Sequence, residues 1–503
     1  MKKLLPLLTL LWLLWLHSTA QNNPDLKRTW HWYFGSNAGL DFSSGTAVPI
    51  YNGQLNSGGT CTSISDTSGN LLFYSDGWSI WNKMHQIMSN SYTLIDRCSE
   101  SALLIPQPGN AQIYYFFYPG YDSTGFKYCL YYSIIDVSLN GGLGGLVSKD
   151  NILLNDSATR KIAAVKHGNN NDIWIITMIY HTNQYNAYLL TGSGLNTANP
   201  VISNAGHIEE SFMGPIKPSP DGTKIAASFS MFDFKNDLEI IDFDKNSGIL
   251  SNAIAYYKCD LPMPYGCESS GVEFSPDGKK LYFTVHKIIT SQTPPAINYL
   301  YQIDISSGDS TQIANSKILM DSTIVTDTNN FKHGGTFSIQ LAYDKKIYLT
   351  KHAKLYIGVI SNPNLSGLAC GVVDSAVYLD NGSGFRFCAA TFPMFMNTCL
   401  PQDKPDNINE NIFNSKNIFI YPNPFSSTAT IEITESNINI ENINIEAYDL
   451  IGKKHNIDYS IISNNNKNLK LFISSGLLSS GIYVLKVTIN QKIYSQKIII
   501  TKN

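Results

Sequence analysis

Apolar and polar residues alternate along most of this chain in short runs, separated by clusters of Asp, Asn, Ser and Gly. Alternation with a period of two, punctuated by turn residues, predicts strands and hairpins rather than helices. One unit recurs: a polar turn followed by an apolar and aromatic strand. It appears as Ser65-Asp66-Thr67-Ser68-Gly69-Asn70 before LLFYSDG, as Pro108-Gly109-Asn110 before AQIYYFFY, and as His167-Gly168-Asn169-Asn170 before NDIWIITMIY. The clearest copies are Ser219-Pro220-Asp221-Gly222 and Ser275-Pro276-Asp277-Gly278, and Tyr343-Asp344-Lys345-Lys346 is a degenerate one. The markers Gly69, Gly109, Asn170, Gly222, Gly278 and Lys345 fall 40, 61, 52, 56 and 67 residues apart. In S-P-D-G, Pro presets φ, Asp bonds its own backbone and Gly supplies a positive φ.

Several units carry a second hairpin, as in LEIIDFDKNSGIL (238–250), LYQIDISSG (300–308) and LYIGVISNPNLSG (355–367). Two hairpins per unit of roughly 50 residues build a four-stranded blade, and six or more such units build a β-propeller. The six marked units plus WHWYFGSNAGLDF (30–42) predict an all-β fold of seven blades, made of WD40-like or YVTN-like repeats over residues 21–400. The run FRFCAATFPMF (385–395) is the candidate for closing the ring. A sandwich array or β-helix is the alternative. Residues 401–417 have linker composition, and 418–503 form a strand-rich module suited to a small antiparallel sandwich.

Composition adds the compartment. Lys2 and Lys3 precede an apolar run from Leu4 to Leu16, and Ser18-Thr19-Ala20 places small residues where a signal peptidase reads. Thirteen residues are too few to span about 30 Å of hydrocarbon as a helix. Residues 1–20 therefore read as a signal peptide cleaved before Gln21, with no membrane-spanning segment left in the mature protein. Its loss removes two cations and no acid, taking the formal net charge from −3 to −5. That charge gives no reason to expect a nucleic-acid partner. With 15% charged residues and only four Arg, an Arg-cluster mechanism has little to draw on.

Eight Cys precede residue 400, and an even count in an oxidising compartment predicts disulfides, with Cys259–Cys267 as the candidate pair. No CxxC supports a thiolate zinc site, and no cofactor is expected. The loop Asp242-Phe243-Asp244-Lys245-Asn246-Ser247-Gly248 places oxygen ligands at alternate positions. Asp242, Asp244 and Asn246 are thus weak candidates for Ca²⁺, but Gly comes one position late and the twelfth residue is Ala253. No G-x-S-x-G elbow is present, so no catalytic residue is assigned. Paired carboxylates could still converge from different blades, and Asp76, Glu100, Glu209, Glu210 and Glu273 are the acids to inspect.

The terminal module resembles the type A C-terminal sorting domain of the type IX secretion system of Bacteroidetes. The resemblance rests on Tyr421-Pro422-Asn423-Pro424, on Tyr448 to Lys453 with its Gly452, on Leu478 to Val484 with Gly481 and Tyr483, and on the last strand ending at Lys502. It implies passage through an outer-membrane translocon and handling by a surface peptidase, ending outside the cell or on the outer-membrane surface. Residues 30–400 also resemble a family of exported Bacteroidetes proteins without an established activity. That resemblance is carried by Trp32-Tyr33-Phe34-Gly35-Ser36-Asn37-Ala38-Gly39-Leu40-Asp41-Phe42 and by ISDTSGNLLFYSDG (64–77), Trp81-Asn82-Lys83 and Ala164-Val165-Lys166-His167. The expected function is a secreted or surface binding protein for a glycan, peptide or surface protein. The alternatives are a secreted glycan hydrolase or lyase with acids in the propeller channel, and a structural part of a surface layer.

Overall fold

The computed structural model describes residues 23–502 except 58, 60, 92–100, 123, 126, 209–213, 230–237, 258–265, 269–270, 289–295, 326–335, 352–354, 380–417, 435–442, 449–453, 466–467, 477 and 490–491. Seven small antiparallel sheets follow one another along residues 31–378. The third, fifth and seventh are simple four-stranded meanders: 103–154, 216–257 and 336–378. The fourth and sixth carry one extra short strand each, and the first two hold three described strands each.

Alternation along each strand turns these sheets into a ring. In Ile113–Tyr121, Tyr114, Phe116 and Tyr118 pack against the second sheet, whereas Tyr115 and Phe117 pack against the fourth. In Ile173–Ile179, Ile173 and Ile175 face the third sheet while Trp174 and Ile176 face the fifth. In Lys280–Ile288, Leu281 and Phe283 face the fifth and Tyr282 the seventh. A strand whose two faces are both buried reads as nearly continuous apolar sequence, as these do. Trp32 and Phe42 close the circle by packing on Tyr348, Ile357 and Val359 of the seventh sheet. The sheets are blades, and the fold is a seven-bladed β-propeller.

The first strands of the second to seventh blades lie side by side around the axis. Each runs into the short hairpin that the repeats mark: 66–70, 107–112, 167–172, 219–223, 275–279 and 342–346. These hairpins define a turn face. The opposite end of the blades is the loop face.

The first blade breaks the pattern. Trp30 lies beside Gly69 on the turn face, His31 bonds Ser65, and Tyr33 stacks on Tyr74 deeper in the ring. The strand His31–Phe34 therefore starts where the other first strands end. Its direction is that of a second strand, and W-Y-F-G-S-N-A-G-L-D-F is a hairpin at the loop face. The expected closing segment, 385–395, lies outside the described residues.

Residues 403–503 form a separate compact unit. Two four-stranded antiparallel sheets face each other across Ile431, Leu471, Leu485, Val487 and Ile498, the sandwich its alternating sequence predicts.

Candidate functional site

The two S-P-D-G turns are built alike. Ser219 Oγ donates to Asp221, and Lys224 N donates back to Ser219 Oγ at 3.0 Å. Ser275 repeats both bonds with Asp277 and Lys280. Lys224 stands opposite Asp242 across the sheet and pairs with it at 2.6 Å, and Lys280 pairs with Asp304 at 3.0 Å. The repeat thus encodes a hairpin and its cross-strand ion pair, not a reactive group.

At the axis on the turn face lies the N-terminal 3-10 helix Pro24–Thr29, capped by Asn23. Its Arg28 donates to Asp25 at 2.8 Å, to Tyr114 Oη at 3.1 Å and to the Ser65 carbonyl at 3.5 Å, joining the second and third blades. Lys166, at the end of the fourth blade's first strand, donates to the other oxygen of Asp25. Trp30 packs edge-on against Tyr343 of the seventh blade. Burial alone would raise the Asp25 pKa, but hydrogen bonds from Lys166 and Arg28 outweigh it and hold the carboxyl below its ordinary range. The helix is thus bonded to the second, third and fourth blades, and Trp30 just after it packs on the seventh.

Other charged side chains are buried among the inner strands. Lys217 donates to Gln340 and sits 3.5 Å from Glu273, linking the fifth, sixth and seventh blades. Glu273 also accepts from Phe274 N and Leu341 N, each at 3.0 Å. Burial pushes its pKa up despite Lys217. Between the fourth and fifth blades, His207 Nδ1 lies 2.7 Å from Glu239 Oε1, and the His207 ring meets Phe229 edge-on. The Lys161 ammonium lies 4.7 Å from the same phenyl ring.

Of the acids singled out, Asp76 accepts from Trp78 N at 2.9 Å and Ser79 N at 2.8 Å and so caps its own turn. Glu273 is tied to Lys217, and the two do not come together. Glu100, Glu209 and Glu210 lie outside the described residues. Sequence reasoning missed Lys161, Lys217 and Glu239. The available signal was a charge inside an otherwise apolar run, as in L-E-I-I, where both faces of the strand are buried.

The loop 242–248 is a hairpin turn. Asp244 accepts from Asn246 N at 2.9 Å and from Ser247 Oγ at 2.7 Å, while the Asp242 carboxylate accepts from Lys224 and Asn252. Asn246 stays in the turn, where its carbonyl meets His167 of the fourth blade at 3.1 Å. Among the described residues no group of three or more His, Cys, Asp or Glu could hold a metal ion. The expectation of disulfides is not met among the described residues, where Cys129 and Cys370 are buried thiols in different blades. Each is more useful there as a small apolar core residue. Cys259, and the side chain of Cys267, lie outside the described residues.

In the terminal sandwich the Y-P-N-P segment joins the two sheets. Its Tyr421–Pro422 and Asn423–Pro424 peptides are cis. Asn423 Oδ1 accepts from Ile499 N at 2.8 Å, and Phe425, 3% exposed, exchanges bonds with Ile499 O and Thr501 N. Tyr421 Oη donates to Glu432. Gly481 opens a strand that pairs with Ile500. Tyr483 is buried with its hydroxyl on Ser479, and the Lys502 ammonium donates to the Gly476 carbonyl. Gly452 lies outside the described residues.

A closed propeller joined to such a sandwich defines the class: an all-β chain with a ring and a separate terminal module. Residues 419–501 match the family described as the secretion system C-terminal sorting domain. The module is a type IX secretion sorting domain, and it directs the chain to the cell surface or extracellular space. No curated protein matches the chain. Among solved structures, a candidate 6-phosphogluconolactonase from Bacteroides uniformis is similar at 12% identity and TM-score 0.42, over 70% of this chain and 96% of that one. A second candidate from Bacteroides fragilis (11%, TM-score 0.30) covers 66% of this chain and 96% of its own. The endo-arabinase of Bacteroides thetaiotaomicron (11%, TM-score 0.29) covers 56% and 95%. At these scores none bears on activity. No described helix is long and apolar enough to cross a membrane.

Proposed function

We propose that the chain is an extracellular binding protein whose propeller, residues 21–400, presents its loop face to a glycan, a peptide or another surface protein. The observation that carries this reading is the N-terminal helix. It occupies the turn face through Arg28, Asp25 and Lys166, with Trp30 packed on Tyr343, and the ligand is accordingly assigned to the opposite, loop face. Binding residues on a rigid scaffold commonly lie on its connecting loops. Residues 401–417 serve as the linker, and 418–503 serve the type IX translocon and its surface peptidase, with Tyr421, Pro422, Asn423, Pro424, Gly452, Gly481, Tyr483 and Lys502 as the sorting motif.

The hydrolase alternative needs two carboxylates that act on one bond. Glu273 is instead held by Lys217 and two backbone amides. The test applies the secreted protein to immobilised extracellular polysaccharides and to whole cells, and follows both retention and soluble product. Saturable retention without product is expected. Sustained release of oligosaccharides would replace the binding reading with the enzymatic one.

A further inference from the structure

The terminal sandwich has one closed side and one open side. On the closed side, Asn423 and Phe425 bond to the end of the strand Lys492–Ile500 and its following residue, lacing the two sheets together. On the other side the sheets end in Lys454–Asn456, of three residues, and in Asp458–Asn465, of eight. The strand Asp458–Asn465 pairs inward with Asn468–Ser474, and among the described residues no strand pairs with its outer side. Every residue from Asp458 to Ser463 is exposed, Ile461 by 48% and Ile462 by 53%.

An edge strand that must stay single is ordinarily kept short or given Lys, Pro or inward charge. Ile418–Tyr421 and Lys454–Asn456 are short, and Lys492–Ile500 carries Lys492 and Lys497. Asp458–Asn465 is long, and after Asp458 it has no charge and no Pro. Its register is regular from Asp458 to Ile461, opposite Ser474 to Leu471, and a bulge at Ile462 ends that stretch. Tyr459 and Ile461 share the core-side face, where the Tyr459 hydroxyl donates to the Ile443 carbonyl at 2.9 Å. Ser460 lies opposite Phe472, which is 41% exposed on the outward face. A strand added at this edge meets apolar side chains on both sides of its backbone.

We infer that the type IX secretion machinery grips the module at this edge, by adding one extended segment of a partner protein to the sheet. The unpaired backbone specifies an extended polypeptide, because main-chain N–H and C=O groups at strand spacing are what it can pair with. The apolar flanks specify an uncharged segment rich in β-branched or aromatic residues. The inference rests on the sorting role of the module, which requires a protein to read it.

The test measures the exported fraction of the full chain in secreting cells. Ser460→Lys with Ile462→Lys is expected to cut that fraction about tenfold or more, because Lys blunts an edge. Ser460→Thr with Ile462→Thr keeps strand propensity, adds no charge and should export within about threefold of wild type. Phe419→Lys, on the short strand at the opposite edge of the same sheet, should also export normally. All these positions are exposed, so the Tm of each purified chain should stay within about 2 °C of wild type. Ile462→Lys alone, at the bulged residue, repeats the test with the least demand on the fold. Wild-type export of the lysine variants, or an equal loss in the threonine pair or in Phe419→Lys, would overturn the inference. Export of a chain lacking 418–503 would instead overturn the sorting role, so the two failures are distinct.

Discussion

Replacing Arg28 with Met tests whether the N-terminal helix is a structural part of the ring. The guanidinium is 10% exposed and makes three hydrogen bonds, to Asp25, Tyr114 and Ser65. Removing one member of a buried ion pair costs about 3–5 kcal/mol when its partner is stranded. Here Asp25 keeps Lys166, and Met keeps the apolar stem against Tyr114, so the expected loss is about 2–4 kcal/mol. For a domain of this size that is a fall in Tm of about 4–8 °C, at roughly 2 °C per kcal/mol. The loss should be local first. Hydrogen exchange at the Trp30 amide, bonded to Lys27 O, and at the Phe42 amide, bonded to Trp30 O, should quicken about thirtyfold or more, since 1.4 kcal/mol is a factor of ten. Asp25 adds a pH signature. Its folded pKa lies below the ordinary 3.8, so its contribution is complete above that value and is lost as pH falls through the folded pKa. Protection of these amides should therefore be flat from neutral pH down to about 5 and collapse below about 4. A Tm within 1 °C of wild type, together with unchanged exchange at Trp30 and Phe42, would refute the claim that Arg28 holds the helix in place.

Three further outcomes follow from the packing. Gly69→Ala should cost about 2 kcal/mol or more, read from thermal unfolding, because the added Cβ would sit 2.1 Å from Trp30 Cε3 at a φ of +95°. EDTA followed by Ca²⁺ should leave the Tm of the propeller unmoved, because the Asp242 carboxylate is already paired with Lys224; recovery of several degrees on adding Ca²⁺ would make Asp242, Asp244 and Asn246 ligands after all. Phe425→Ala should destabilise the terminal sandwich by about 3–5 kcal/mol and, like deletion of 418–503, reduce the protein found outside the cell; wild-type amounts in the medium would count against the sorting role.

The blade count was legible because each repeat states a local rule. Ser219-Pro220-Asp221-Gly222 specifies a turn whatever surrounds it, and the apolar run after it can only be a strand buried on both faces. The sorting module was legible for the same reason: its alternation is complete within 418–503 and needs nothing from the ring. What stayed hidden involves residues far apart in the chain. Asp25 and Lys166 meet across 141 positions, and Lys217 and Gln340 across 123, through contacts that no local pattern announces. Residues 24–29 carry too few apolar groups to declare an element, so a helix tied down by bonds to three blades left no periodic trace. Nor could the direction of the first blade's opening strand be read from its pattern, because W-Y-F-G-S-N-A-G makes a hairpin equally well at either face. The chain alone thus determined the repeats, the turns and the address. Only the closed ring decided at which end the N-terminal helix docks and which buried charges face one another, because those depend on the order in which blades return to a common centre.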